Sequence, residues 1–190
     1  MIHYKEQDIQ GVYLIEPDEF RDLRGAFSET FKSEEFVQQT EAHPFVQENE
    51  SLSLRGVFRG LHLQTGSTSQ GKLVRCIEGV VVDVLVDLRP ESKTFGEWRM
   101  YELSQENRKQ LYIPRYFAHG FVALSPVARF LYKVDNPYSP STECCIHFQD
   151  PDLAIDWQSL ENLTEQFILS EKDKEGISFK DYCARFLPSR

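Results

Sequence analysis

The chain has 190 residues, of which 41% are hydrophobic and 13% aromatic, and it carries a formal net charge of −9. This composition excludes a disordered chain and fits one globular domain over residues 1–190, and the acidic balance argues against a nucleic-acid partner. No apolar run reaches the roughly 20 residues that cross a bilayer, and no signal-peptide pattern opens the chain, so we expect a cytoplasmic protein with no membrane partner.

Short strands, one turn and one helix are predicted over the N-terminal part of the chain. The apolar run 12–15 predicts the first strand. The sequence Asp-x-Arg-Gly at 22–25 has the residue types of a turn, and residues 26–31 behind it predict a strand. Ser33, followed by two glutamates, predicts the N-cap of a short helix.

The strand predicted over 57–64 carries two side chains that are costly to bury, Arg59 and His62. Strict alternation would place them on opposite faces, and Gly60 between them predicts a bulge that turns one of them. Lys72 shares a face of the next predicted strand with apolar neighbours. Because burying such groups without partners is unfavourable, we interpret these strands as one wall of a small-molecule site.

The strongest strand signal is the valine-rich run 79–89. Asp83 lies on an apolar face of that strand and therefore requires a partner, for which Lys72 or His62 on a neighbouring strand would serve. Asp87 lies on the same face and fits an aspartate that hydrogen-bonds a backbone turn.

The second half of the chain continues as short strands. Residues 121–124 and 128–134 are predicted to pair around a Ser-Pro turn, and a loop at 136–140 follows them. Further strands are predicted over 95–103 and 144–148. So many short strands with few helices predict an all-β sandwich or barrel.

The C-terminal part shows helical spacing over 159–167, and the charged stretch 170–174 fits a solvated loop. The four cysteines form no C-x-x-C pair, so we expect free thiols. Adjacent Cys144 and Cys145 point to opposite faces of their predicted strand.

Metal-free acid–base chemistry is the reaction type that these residues favour. His62 is not followed by a second histidine in its strand, so a three-histidine metal site is poorly supported. A neutral imidazole at His62 can take a proton near neutral pH, and the phenol of Tyr132 can return one. An ammonium at Lys72 can stabilise an enolate oxygen. With base and acid on opposite faces of a sugar ring, a carbon inverts, which is epimerisation.

The sequence resembles one family through six ordered blocks that run from about residue 11 to residue 174. The blocks are Arg59-Gly60-Leu61-His62-x-Gln64, Gln70-Gly71-Lys72-Leu73-Val74-Arg75, Val82-Asp83-Val84-x-Val86-Asp87-x-Arg89, Phe95-Gly96-x-Trp98, Phe117-Ala118-His119-Gly120-Phe121 and Tyr132-Lys133. They are similar to those of the dTDP-4-dehydrorhamnose 3,5-epimerases. The resemblance implies a homodimeric jelly-roll (cupin) enzyme with a few short flanking helices.

The resemblance also implies the chemistry and the site. It implies a metal-free and cofactor-free conversion of dTDP-4-dehydro-6-deoxy-D-glucose to dTDP-4-dehydro-L-rhamnose. His62 would be the base, oriented by Asp173, with Lys72 at the enolate, Tyr132 as the acid and Asp83 behind them. This role for Asp173 opposes the solvated-loop interpretation and comes from the resemblance alone. The implied substrate contacts are Arg24, Phe27 and Glu29, reached from a partner subunit, and Gln47, Asn49, Arg59, His119, Tyr138 and Glu143.

Three alternatives stay open at this stage. One is an epimerase that inverts only C3 or C5 of another 4-keto sugar nucleotide. The second is a metal-dependent cupin enzyme, and the third is a sugar-binding module without activity. On residue type alone, Arg24 and Glu29 are exposed charges near a turn. The chain departs from the family pattern at Glu48, Leu63 and Tyr116.

Overall fold

Antiparallel strands dominate the computed structural model, which describes residues 1–160 and 167–187. In chain order the strands are β1 (Ile2–Glu6), β2 (Tyr13–Pro17), β3 (Phe20–Asp22), β4 (Gly25–Phe27), β5 (Gln47–Leu54), β6 (Phe58–Gln64), β7 (Lys72–Glu78), β8 (Val80–Asp87), β9 (Trp98–Ser104), β10 (Gln110–Ile113), β11 (Phe117–Ala123), β12 (Val127–Val134) and β13 (Glu143–Cys145). The helices are α1 (Ser33–Thr40), α2 (Glu171–Lys174) and α3 (Phe179–Phe186), with 3-10 turns at Gly66–Thr68 and Trp157–Ser159.

Two sheets pack face to face. One has the strand order β1-β2-β10-β7-β12-β5, the other has the order β13-β6-β11-β8-β9, and β3 with β4 forms a separate hairpin. The pairs within the sheets are antiparallel. This jelly-roll arrangement confirms the predicted all-β class.

The core between the sheets takes apolar side chains from both of them. Val74 of β7 and Phe130 of β12 meet Val81 and Leu85 of β8 there. The alternate residues of β8 point to the other face, which the segment after β13 covers together with α3. Because β8 is buried on both faces, its sequence is apolar at both sets of alternate positions, apart from Asp83 and Asp87.

Helix α1 covers the outer face of the larger sheet. Its Phe36 is fully buried and packs against Ile2, Ile15 and Tyr112, with the Tyr112 ring edge-on at a centroid distance of 5.2 Å. No helix within the described ranges 1–160 and 167–187 is long and apolar enough to cross a membrane.

The predicted pairing of 121–124 with 128–134 is wrong. The turn between them carries the chain from one sheet to the other, so β11 pairs with β6 and β8, and β12 pairs with β5 and β7. Both strands place apolar residues in the shared core. Their sequence pattern is therefore the same as that of two strands paired in a hairpin.

Local predictions in the N-terminal part are only partly correct. The strand β1 was not predicted, because only every second residue of an edge strand is apolar. The strand predicted over 26–31 ends at Phe27, and the turn at 22–25 is confirmed as the β3–β4 connection. The helix at Ser33 is confirmed, but its N-cap is Lys32 and no side chain caps it. Most of the helix predicted over 159–167 lies outside the described residues.

Candidate active site

A cavity of about 440 Å³ opens between the two sheets. Its size fits the range of small-molecule sites. The predicted site residues that line it are His62, Lys72, Tyr132 and Asp173, together with Gln47, Asn49, Arg59, His119, Tyr138 and Glu143. Leu63, Gln64 and Gln70 also line the cavity, in or beside the strands that were predicted as one wall of the site. The lining residues that sequence reasoning did not assign to the site are Ser51, Phe121, Phe130, Ser170 and Lys172.

The bend that aims Arg59 and His62 at this cavity lies at Gly60. The register of β6 against β11 shifts between the partners of these two residues, which confirms the predicted bulge. Gly60 has φ +146°, and a Cβ there would lie 2.6 Å from the Cα of Gly120. Only glycine fits this position, and as a result both polar side chains line the same cavity.

His62 forms a short polar contact with Asp173. Its Nε2 lies 2.5 Å from Asp173 Oδ1, and Asp173 Oδ2 accepts a hydrogen bond from Ser170. Burial would raise the pKa of Asp173, but the hydrogen bond and charge of His62, together with the hydrogen bonds from Ser170 and the Gly60 backbone, outweigh burial, and the pKa falls below its usual value. A charged Asp173 keeps the ring proton on Nε2, so Nδ1 is left as the nitrogen that can accept a proton.

The solvated-loop interpretation of residues 170–174 is therefore wrong. The segment forms α2, and Asp173 within it is only 3% exposed. Ser170 caps this short helix by accepting from the Asp173 backbone N–H. The cap and the contact with His62 fix the carboxylate together.

Lys72 enters the cavity from the opposite sheet. Its ammonium lies 3.4 Å from the carbonyl oxygen of His62, and its side chain is almost completely buried. Burial lowers the pKa of Lys72 to about 8, although Asp83 and Glu143 favour the charged form. Lys72 is thus a buried cation whose charge is held close to His62.

Asp83 is paired with His119, and not with Lys72 or His62 as expected. The His119 Nε2 lies 2.7 Å from Asp83 Oδ2. The reason is the register of β11 on β8, which places these residues as diagonal neighbours on one face. Burial lowers the pKa of His119, so its ring is a neutral donor to the Asp83 carboxylate. The prediction for Asp87 is confirmed, because Asp87 accepts from the backbone of Arg89.

Tyr132 lies on β12 and therefore on the sheet opposite to that of His62. Both side chains line the cavity, so the imidazole and the phenol approach it from two sides. Burial raises the pKa of Tyr132, while the Arg59 charge acts against this shift. A protonated phenol on the far side of the cavity from an imidazole is the arrangement that inversion at a carbon requires.

Polar groups surround the cavity. Arg59 donates to the Ser53 hydroxyl and to the carbonyl of Leu52, both neutral acceptors. On the other side, Tyr138 donates to Glu143 over 2.6 Å, and Lys172 forms an ion pair with the same carboxylate. The loop prediction for Tyr138 is confirmed by this placement.

The hairpin of β3 and β4 stays outside the cavity of its own chain. Arg24, Phe27 and Glu29 do not line the cavity. Arg24 pairs with Asp22 and is 91% exposed, and Glu29 pairs with Lys32. The Phe27 ring is 69% exposed. Within one chain Arg24 and Glu29 therefore match the interpretation as exposed charges near a turn, and Phe27 is exposed beside them.

One group of side chains in the described part of the chain could hold a metal ion. It consists of His62, Cys145 and Asp173, whose donor atoms lie within 4.8 Å of one another. This group contains the proposed base and its aspartate, so an ion there would occupy the atoms that acid–base chemistry needs.

The chain is similar to known epimerases over most of its length. A family model described as dTDP-4-dehydrorhamnose 3,5-epimerase matches residues 6–181. The chain is 49% identical over 175 residues to the dTDP-4-dehydrorhamnose 3,5-epimerase of Pseudomonas aeruginosa, covering 91% of this chain and 93% of that protein. It is 37% identical over 171 residues to a dTDP-4-dehydrorhamnose 3-epimerase of Streptomyces niveus, covering 89% of this chain and 80% of that protein.

A solved structure with a bound sugar nucleotide has the same fold. The dTDP-6-deoxy-D-glucose-3,5-epimerase of Legionella pneumophila, in complex with dTDP-4-keto-L-rhamnose, superposes with a TM-score of 0.92 at 42% identity. The superposition covers 100% of this chain and 99% of that one. The chain belongs to the dTDP-4-dehydrorhamnose 3,5-epimerase family.

Proposed function

We propose that this chain converts dTDP-4-dehydro-6-deoxy-D-glucose to dTDP-4-dehydro-L-rhamnose in the cytoplasm, with residues 1–190 as one catalytic domain. The observation that carries the proposal is the placement of His62 with Asp173 on one side of the cavity and Tyr132 on the other. The buried cation of Lys72 lies beside them. Membership of the family supports the substrate class.

The reaction uses these groups as base, acid and charge stabiliser. The C4 ketone of the substrate acidifies the protons on C3 and C5, and Nδ1 of His62 removes one of them. The resulting enolate oxygen is stabilised by the Lys72 ammonium, which is fixed and desolvated before the reaction begins. Tyr132 then delivers a proton to the opposite face of the carbon, and the configuration inverts.

The exposed hairpin supports a homodimer as the active species. Arg59 serves as a fork for the diphosphate of the substrate. Arg24, Phe27 and Glu29 do not line the cavity of their own chain, and Leu23 at the tip of their hairpin is fully exposed. A hairpin with exposed apolar and cationic groups fits a role in the cavity of a second copy, where it would contact the nucleotide.

Mixing two inactive variants tests this exchange of hairpins. Arg24→Ala impairs the hairpin, and His62→Asn impairs the cavity. In a mixed dimer, one cavity keeps His62 and receives the intact hairpin of the other chain. Half of the dimers in an equal mixture are mixed, so we expect about a quarter of the native rate per chain. A mixture no faster than the mean of the two separate variants would contradict a shared site.

Solvent deuterium tests the proposed function directly. Incubation with dTDP-4-dehydro-6-deoxy-D-glucose in D2O is expected to place deuterium at both C3 and C5, as read by NMR of the sugar. Label at one carbon would instead support a single-carbon epimerase, the activity in the name of the Streptomyces niveus relative. Label at neither carbon would contradict the proposal.

A further inference from the structure

A thiol lies next to the His62–Asp173 pair. Cys145 is directly opposite His62 in the pairing of β13 with β6, so both side chains are on the same face of the sheet. Cys144 points to the other face and packs in the apolar cluster under the C-terminal segment. A sulfur, a ring nitrogen and a carboxylate oxygen therefore meet beside the cavity, within 4.8 Å of one another.

This donor set has a clear preference among metal ions. Zinc and similar ions bind thiolate, imidazole and carboxylate at about 2.0 to 2.3 Å, and three protein ligands plus one open position are typical of their reactive sites. Magnesium and calcium select oxygen donors instead. Donors around a tetrahedral zinc are about 3.3 to 3.7 Å apart, so the 2.5 Å contact of His62 with Asp173 must open by about 1 Å.

The surroundings of the three donors permit such a site. The side chain of His62 is 31% exposed, which gives an ion a route from the cavity. Cys145 is 9% exposed, and its Sγ makes only long contacts, at 3.6 Å to the carbonyl oxygen of Gly60 and 3.8 Å to that of Ile146. Little therefore holds the thiol away from a metal ion that would replace these contacts.

We propose that His62, Cys145 and Asp173 form an inhibitory site for a zinc-like divalent ion. The ion binds Nε2 of His62, Sγ of Cys145 and a carboxylate oxygen of Asp173. The thiol proton leaves to solvent, and the ring proton of His62 moves from Nε2 to Nδ1. Nδ1 is then a donor and cannot accept a proton from a sugar carbon. The inhibition rests on the proposed function, whereas the binding of the ion does not.

Cobalt binding tests the site without reference to activity. We expect the protein to bind one equivalent of Co²⁺ with a thiolate-to-cobalt charge-transfer band. Cys145→Ala and Cys145→Ser, both checked for folding by circular dichroism, should lack the band. Cys144→Ala, which removes the adjacent thiol on the other face, should keep it. A band that survives in both Cys145 variants, or no band in the native protein, would overturn the site.

Zinc inhibition of deuterium exchange tests the consequence. Without added metal, Cys145→Ala should exchange at the native rate, and its half-inhibiting Zn²⁺ concentration should rise at least about tenfold, the scale on which changes around metal ligands act. Equal inhibition of native protein and Cys145→Ala would overturn the inhibitory role. If metal-free native protein shows no exchange while the cobalt band depends on Cys145, the proposed function fails and the metal site stands.

Discussion

His62→Asn is expected to lower the rate of deuterium exchange at both sugar carbons by about 10²- to 10⁴-fold. Asparagine keeps a polar side chain of similar size beside Asp173, but it has no atom that takes a proton near neutral pH. Because the proposed mechanism uses one imidazole as the base for both carbons, the two exchange rates should fall together. The measurement is NMR of the sugar nucleotide in D2O, with variant and native protein at equal concentration.

Two controls separate loss of the base from loss of structure. The dissociation constant for dTDP should stay within a few-fold of the native value, because the nucleotide contacts proposed above are Arg24, Phe27 and Glu29 and do not include His62. His3→Asn removes an exposed histidine on β1, whose Nε2 pairs with Asp18, and should leave exchange unchanged. Exchange by His62→Asn at more than about a tenth of the native rate would contradict the role of His62 as base.

Lys72→Met is expected to make the protein more stable and much less active. The pKa of Lys72 falls from 10.5 to about 8 through burial, so keeping it charged at pH 7 costs about 3 kcal/mol of folding free energy. Methionine fills a similar volume without a charge. The stabilisation should reach up to that amount, and the exchange rate should fall about 10²- to 10³-fold because the enolate loses its fixed cation.

The stability difference between Lys72→Met and the native protein should depend on pH. Between about pH 8 and 10.5 the unfolded chain holds a proton on Lys72 that the folded chain has lost, so the stability of the native protein rises with pH over that window. Lys72→Met lacks this rise, and its advantage should disappear by about pH 10.5. Denaturant unfolding at several pH values measures it, with exposed Lys5→Met as the control. An unchanged or lower stability for Lys72→Met at pH 7 would contradict the buried charge.

The sequence indicated the strands of this fold more reliably than their partners. The valine-rich run of β8 and the polar–apolar alternation of β12 follow from which side chains of each strand are buried, so both strands can be recognised from their own sequence. Partner choice depends on where the chain crosses between sheets, and the turn before β12 carries no local mark of that crossing. The pairing of Asp83 with His119 was missed for the same reason, since it follows from the register of two strands.

The site shows a similar division between local and long-range information. Gly60 could be predicted to redirect its strand because a glycine inside a strand pattern is itself a local signal of a bulge. Asp173 could not be recognised from its own surroundings, because its partner His62 is 111 positions away and its neighbours are charged. Only the resemblance to a family suggested its role. Lys172 beside it was missed entirely, since an exposed lysine in a charged stretch gives no signal of a cavity.

The Tyr132→Phe variant in D2O tests most directly whether acid and base act from opposite faces. His62 remains able to remove a proton, exchange it with solvent and return it to the face from which it came. The account therefore predicts recovered substrate that carries deuterium with its original configuration, while formation of the epimerised product falls about 10²- to 10⁴-fold. Formation of the epimerised product at the native rate would contradict the account. So would a loss of deuterium incorporation into recovered substrate that is as large as the loss of product formation.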